Sequence, residues 1–185
     1  MEGLTPPAAS PDHRGDIRIQ EPPAHVDQPL IPRPAGWDDA PSGVEGPDFW
    51  RRVLVAEVDR SSRYRRALTV VVIELEGLDE LAVSWGEVIA RHALRGAAQC
   101  LRRVSRASDY CARIDATRFG VILTETDEIA AINYVERVRE GMLIVLPRAG
   151  AGLRLCFGWA GARPGDSAAD VVGRAEHRLV GELSR

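Results

Sequence analysis

RASDYCARIDATRFGVIL, residues 106–123, is the stretch whose reading decides the fold. Successive side chains of a strand alternate, so Phe119, Val121 and Leu123 fall on one face of an extended chain and Gly120 and Ile122 on the other. A second short extended segment, Asp109 to Ile114, precedes the strand Arg118 to Thr124. Only Asp115-Ala116-Thr117 lies between them, which predicts a hairpin.

Upstream, apolar residues recur at Val88, Ile89, Ala93, Leu94, Ala97, Ala98, Leu101 and Val104, a helical stripe with arginines opposite. Before it, ALTVVVIEL (Ala67 to Leu75) is a continuous β-branched run, as a strand covered on both faces requires. Asp48 is placed to cap a helix through Phe49, Val53, Leu54 and Val58, ending at the basic Arg63-Tyr64-Arg65-Arg66 turn. Downstream, Ile129, Ile132, Val135, Val138 and Met142 mark a helix from about Asp127 to Leu143. Leu153, Leu155, Phe157 and Trp159 alternate as a strand. Val172, Ala175, Leu179 and Leu183 stripe a last helix from Ala168. The order is helix, β-α-β-β-α-β, helix. It predicts an α/β (α+β) domain with a ferredoxin-like βαββαβ core, its helices packed on a central sheet.

Composition divides the chain. Ten of the 12 prolines fall within the first 47 residues, and that segment shows no periodicity of helix or strand. Residues 1–45 therefore read as a disordered, proline-rich arm, whether solvated tail, linker or docking peptide, ahead of a folded domain over 46–185. Trp37 and Trp50 are candidate anchors for a partner, although Trp50 beside Phe49 also suits a helix start. A formal charge of −3 argues against a nucleic-acid binder. All 24 basic residues are arginine, so any phosphate contact comes from a planar fork rather than a point charge. Cys100, Cys111 and Cys156 and the four histidines have no metal-ligand spacing, and the cysteines read as small buried residues. No apolar stretch approaches the roughly 20 residues needed to cross a bilayer, and Met1-Glu2-Gly3 does not begin a signal peptide; the expected location is the cytoplasm.

Arg106, Asp109, Ala112-Arg113, the turn Asp115 to Phe119 and Leu123 together resemble the R-x-x-D…A-R-x-G-G-D-E-F-x-x-x-L signature of GGDEF domains, the diguanylate cyclases. The similarity runs from about Phe49 to Leu143, resumes at Leu153 to Ala160, and ends in Arg174-Ala175-Glu176 and Leu179. It implies the fold above and a place in cyclic di-GMP signalling.

Departures from the family pattern fall at the catalytic positions. The turn reads Asp115-Ala116-Thr117-Arg118-Phe119, with a Cβ where the family has a second glycine and a neutral hydroxyl where it has a metal-holding carboxylate. Joining two guanosine triphosphates needs Mg²⁺ held by carboxylates, and of the family's D-x-D-x-F-K strand end only Glu74, Glu76 and Asp79 stand here. Asp79 reverses the lysine's charge. Ala82 and Arg91 align with the guanine-reading Asn and Asp, and Glu182 and Leu183 with the late alanine-lysine pair. The D-x-L-T-G-L-x-N-R segment is reduced to Asp38 at its head. The expectation from these positions is a chain that is not an enzyme and needs no cofactor. Mg²⁺ enters only if Glu74, with Glu76, holds metal in a rebuilt site.

The resemblance also implies an inhibitory-type site, in which R-x-x-D and an arginine of the following helix bind cyclic di-GMP. Arg106, Asp109 and Arg137 stand at those positions. Arginine forks onto guanine O6 and N7 or onto phosphate, and a carboxylate accepts from guanine N–H groups. Arg163-Pro-Gly-Asp166 satisfies the same short motif in a loop, so the spacing alone is weak. Three functions follow: a cyclic di-GMP-binding effector, a nucleotide-independent scaffold for a protein partner or for dimerisation, and a cyclase with a rebuilt site.

Overall fold

The computed structural model describes residues 31–146 and 152–184. Two short strands come first, β1 (Asp38–Asp39) and β2 (Val44–Glu45), followed by helix α1 (Pro47–Tyr64) and strand β3 (Leu68–Glu76). Helices α2 (Leu78–Trp85) and α3 (Glu87–Val104) lead to the hairpin β4 (Tyr110–Arg113) and β5 (Arg118–Thr124). Helix α4 (Glu128–Val145), strand β6 (Arg154–Gly161) and helix α5 (Ala168–Leu183) complete the chain. The sheet has six strands in the order β1-β2-β4-β5-β3-β6. The β3–β6 portion is the ferredoxin-like core that periodicity predicts, and β3 runs antiparallel to both its neighbours.

Helices cover both faces of the sheet. Val71, Ile73, Phe119, Val121 and Phe157 look toward α2, α3 and α4, whereas Val70, Val72, Ile122, Cys156 and Ala160 look toward α1 and α5. The β-branched run of β3 is therefore buried on both sides, each residue from Val70 to Ile73 with no exposed surface. Two glycines let elements approach closely. A Cβ on Gly158 would lie 2.0 Å from the Ala175 carbonyl oxygen of α5, and one on Gly120 would lie within 2.9 Å of three Trp50 ring atoms. Trp50 is thus core, while Trp37 stays half exposed, edge-on to Phe49.

Several boundaries differ from the sequence-based expectation, each for a local reason. Proline at N1 starts α1 after Gly46, and Asp48 pairs with Arg51 instead of capping the helix. Gly86, at φ 90°, separates α2 from α3, so Val88 and Ile89 sit in an exposed first turn. In α4 the inward stripe is Ala131, Tyr134, Val135, Val138 and Met142. Ile132 lies about a quarter turn away and Ile129 nearly opposite, and both face solvent. The arm also needs correction, since residues 31–45 are folded against the domain and Ile31 is 1% exposed. Residues 1–30 of the expected arm lie outside the described residues. The three cysteines are buried thiols, and burial pushes Cys111 up to about 12. Among the described residues no helix is long and apolar enough to cross a membrane.

Strand β6 forms one edge, and side chains close it. The Phe157 N–H donates to Glu182, and the Trp159 carbonyl accepts from Arg178. The Gly161 N–H donates to Glu128 Oε1 at 2.8 Å, and its carbonyl accepts from Arg174 at 3.0 Å. These side chains occupy four of the outward backbone groups that an added strand would use.

Burial alone would raise the pKa of Glu128, but the Gly161 N–H and Arg178 outweigh it and hold the carboxyl below its ordinary range. A depressed carboxyl contributes stability above its unfolded pKa, about 4.3, and loses that contribution as pH falls through the folded value. Urea unfolding of Glu128→Gln is therefore expected to show lower stability than wild type at pH 7 and near-equal stability at about pH 3. An equal deficit at both pH values contradicts the assignment.

Candidate functional site

The hairpin turn follows from backbone bonds and one buried cation. The Ile114 N–H donates to the Arg118 carbonyl at 2.9 Å, and the Leu75 N–H reaches across from β3 to the Thr117 carbonyl at 2.9 Å. Arg113, fully buried, donates from Nε and Nη2 to the Ala116 carbonyl at 3.2 and 2.7 Å, and from Nη1 to both oxygens of Asp39 at 3.2 Å. The Asp115 carboxylate accepts from the Ala116 N–H at 2.8 Å. Phe119, at the end of the turn, is core.

Glu74 sits beside the turn with 11% of its side chain exposed, and its carboxylate is occupied: Thr117 Oγ1 donates to one oxygen and Arg118 Nε to the other. Two residues along the same strand face, Glu76 pairs with Arg154 at 2.5 Å, and Arg154 also donates to the Leu183 carbonyl. Asp79 is exposed in the first turn of α2, Ala82 is buried, and Arg91 pairs with Glu87 one turn earlier. Glu182 pairs with Arg139. Among the described residues no three His, Cys, Asp or Glu side chains converge as a metal cluster. A divalent cation could use Glu74 only by displacing Arg118 from its carboxylate, and Thr117 adds no charge to help hold it.

A second constellation lies at the other end of the hairpin. Asp109 closes a tight turn, accepting from the Arg106 N–H at 2.8 Å and from the Thr124 N–H at 3.2 Å, while its own N–H donates to the Arg106 carbonyl at 3.0 Å. Next to it, Ser105 Oγ and the Tyr134 hydroxyl lie 3.0 Å apart, joining this loop to α4. Burial pushes the pKa of Tyr134 well up, so it stays a neutral phenol. One turn on, Arg137 stacks on Tyr134, its Cζ 6.0 Å from the ring centroid. The Ser105–Tyr134 hydrogen bond thus ties the Arg106–Asp109 turn to α4, the helix that carries Arg137. Arg106 also lines a cavity of about 530 Å³ with Tyr64, Arg66 and Tyr110. Among the described residues the guanidinium groups of Arg106 and Arg137 have no hydrogen-bond or ion-pair partner, in contrast to those of Arg60, Arg66, Arg113 and Arg118.

Residues 39–182 match the family described as "Diguanylate cyclase, GGDEF domain". The chain belongs to the GGDEF domain family. Among curated relatives, this GGDEF chain is 28% identical over 104 residues to "Probable diguanylate cyclase DgcC" of Escherichia coli K12, covering 56% of this chain and 28% of that protein. It is also 28% identical over 91 residues to "Diguanylate cyclase DosC" of the same strain, covering 49% of this chain and 20% of that one. The match thus spans only 28% and 20% of the length of these two relatives. In fold it is similar to the coiled coil and GGDEF domain of DgcB from Caulobacter crescentus in complex with c-di-GMP, with a TM-score of 0.74, 16% identity and coverage of 80% and 81%. Diguanylate cyclase SiaD from Pseudomonas aeruginosa, in complex with its activator SiaC, gives a TM-score of 0.72 at 21% identity, covering 79% of this chain and 57% of that one.

These findings correct the expectation that the chain is not an enzyme. The curated relatives are named diguanylate cyclases, which are enzymes, and the matched family is described in the same terms. The structure shifts one position by a residue. The head of the segment before α1 is Asp39, which is 3% exposed and pairs with Arg113, whereas Asp38 is exposed. Sequence reasoning missed the roles of Arg113, Arg118 and Arg154. Each pairs across a gap of 40 residues or more, and the only signal was an arginine close to a strand end.

Asp109 has a structural role that can be separated from any ligand. Asp109→Ala leaves the Arg106 and Thr124 N–H groups without an acceptor. Its expected cost is about 1–2 kcal/mol, or roughly 3–6 °C in melting temperature for a domain of this size. Asp109→Asn, whose single acceptor oxygen serves only one of the two N–H groups, is expected to melt between wild type and Asp109→Ala.

Proposed function

We propose that this GGDEF domain works in cyclic di-GMP signalling and takes the dinucleotide on the face formed by Arg106, Asp109 and Arg137. The observation behind this reading is two guanidinium groups that among the described residues have no hydrogen-bond or ion-pair partner: Arg106 in the turn that Asp109 closes, and Arg137 stacked on Tyr134 of the helix joined to Ser105. An arginine not engaged internally has its fork available for guanine or phosphate, at little cost in broken protein contacts. The DgcB structure in complex with c-di-GMP supports the ligand class, and the SiaD–SiaC complex supports a protein partner as well. Calorimetry with cyclic di-GMP is expected to give micromolar or tighter binding. Arg106→Ala and Arg137→Ala are each expected to weaken it by about ten- to a hundredfold, the worth of one bidentate contact. Wild-type protein that leaves the dinucleotide unbound, or variants that bind it equally well, would remove the reading.

The names of the curated relatives favour a second reading, in which guanosine triphosphate is the substrate at the Glu74 end of the hairpin. A divalent cation would there compete with Arg118 for the Glu74 carboxylate. Arg118→Ala is accordingly expected to raise formation of cyclic dinucleotide from GTP and Mg²⁺, and Glu74→Ala to abolish it. Liquid chromatography of the reaction mixture measures both, and activity indifferent to Glu74 places the chemistry elsewhere.

A further inference from the structure

The segment ahead of β1 is attached to the hairpin turn by three contacts of different kinds. Ile31 is 1% exposed and belongs to the larger apolar cluster, on the α2–α4 face of the sheet. The Pro32 carbonyl accepts from Arg113 Nη2 at 2.7 Å. Arg33 Nε stands 3.2 Å from Asp115 Oδ1, at the first position of the turn. The same Arg113 Nη2 donates to the Ala116 carbonyl, so one fully buried guanidinium holds both the segment and the turn.

We propose that residues 31–33 form a latch through which the N-terminal segment sets the conformation of the Asp115–Thr117 turn. The reasoning concerns the opposite end of the hairpin from Arg106 and is independent of dinucleotide binding. Lifting the segment takes Ile31 out of the apolar cluster and strips a carbonyl from a buried cation. Such a cation must then find another acceptor or move. Its nearest means of adjusting is the Ala116 carbonyl it already holds, so the turn loosens with the latch. Thr117 transmits the change, because its carbonyl accepts from the Leu75 N–H and its hydroxyl bonds to Glu74. A pull or a docked partner on the segment leading into Ile31 therefore reaches the Glu74 carboxylate through a short chain of named contacts. The Arg33–Asp115 pair contributes alignment more than strength, since Arg33 is 77% exposed and solvent weakens the attraction.

Hydrogen exchange on the full chain tests the latch. In Ile31→Ala, and more so in Ile31→Asp, the amides of Leu75, Ala116 and Arg118 are expected to exchange about tenfold faster or more, following the opening equilibrium of the segment. Amides within α5 are expected to keep their wild-type rates. Ile31→Val, which restores most of the buried volume, is expected to return the turn amides close to wild type, and Arg33→Ala to change them by less than about threefold. Unchanged turn amides in Ile31→Ala would overturn the proposal. So would a uniform rise across α5 and the turn together, because that reports global destabilisation. If Ile31→Asp fails to fold, the alanine and valine variants decide between these outcomes.

Discussion

A buried guanidinium is costly unless every polar edge of it is matched, and Arg113 imposes that constraint on this domain. Its side chain has no solvent exposure, and its partners come from three places in the chain: the Asp39 carboxylate, the Ala116 carbonyl and the Pro32 carbonyl. Asp39 is in turn fixed by Ser42, whose N–H donates to the same carboxylate at 3.0 Å, and the chain then reverses at Gly43, φ 79°. That reversal makes the β1–β2 ribbon, and β2 lies parallel to β4, the strand that carries Arg113. One charge thus closes the edge of the sheet opposite β6 and fixes how the chain enters the domain.

The same electrostatic logic operates at the end of β3. Glu74 and Glu76 point to one face, and each is answered by an arginine from another element, Arg118 from β5 and Arg154 from β6. Because the chain's basic residues are all arginine, these are forks with fixed donor geometry rather than mobile ammonium groups. A carboxylate paired with such a fork is harder to recruit for a cation than one facing water. The chemistry available at this end therefore depends on whether Arg118 can be displaced.

What the sequence revealed and what it hid follow from where the information is stored. The β3 run and the stripes of α3, α4 and α5 carry their own periodicity, so the βαββαβ core was legible before any contact was known. Strands β1 and β2, two residues each, have no period to read and exist only through pairing with β4. Ile31 was lost in a proline-rich background, where composition argues for an arm even though a single residue is core. With two adjacent aspartates, only the distant Arg113 selects Asp39 over Asp38. Among the candidate site residues, the family resemblance and not a local pattern singled out Arg106, Asp109 and Arg137, and nothing local revealed that Thr117 and Arg118 close on Glu74.

The two R-x-x-D segments show why a motif is weaker evidence than an unpaired group. Both fold into the same turn: the aspartate accepts from the arginine N–H at 2.8 Å in Arg106–Asp109 and at 2.7 Å in Arg163–Asp166, and each aspartate N–H returns a bond of 3.0 Å to the arginine carbonyl. The motif is thus first a local device for reversing the chain, available wherever the four residues occur. Tertiary surroundings then separate the two. Arg174 claims Asp166, and that hydrogen bond holds the carboxyl below its ordinary range. Asp109 meets only backbone N–H groups, and the Ser105–Tyr134 hydrogen bond ties its turn to α4, the helix that carries Arg137; among the described residues neither Arg106 nor Arg163 has a partner for its guanidinium, so the two turns differ in the aspartate. A turn whose carboxylate is claimed by an internal guanidinium has less left to offer a ligand. At Arg106 the carboxylate meets only backbone, so this turn, rather than its twin, is the candidate for recognition.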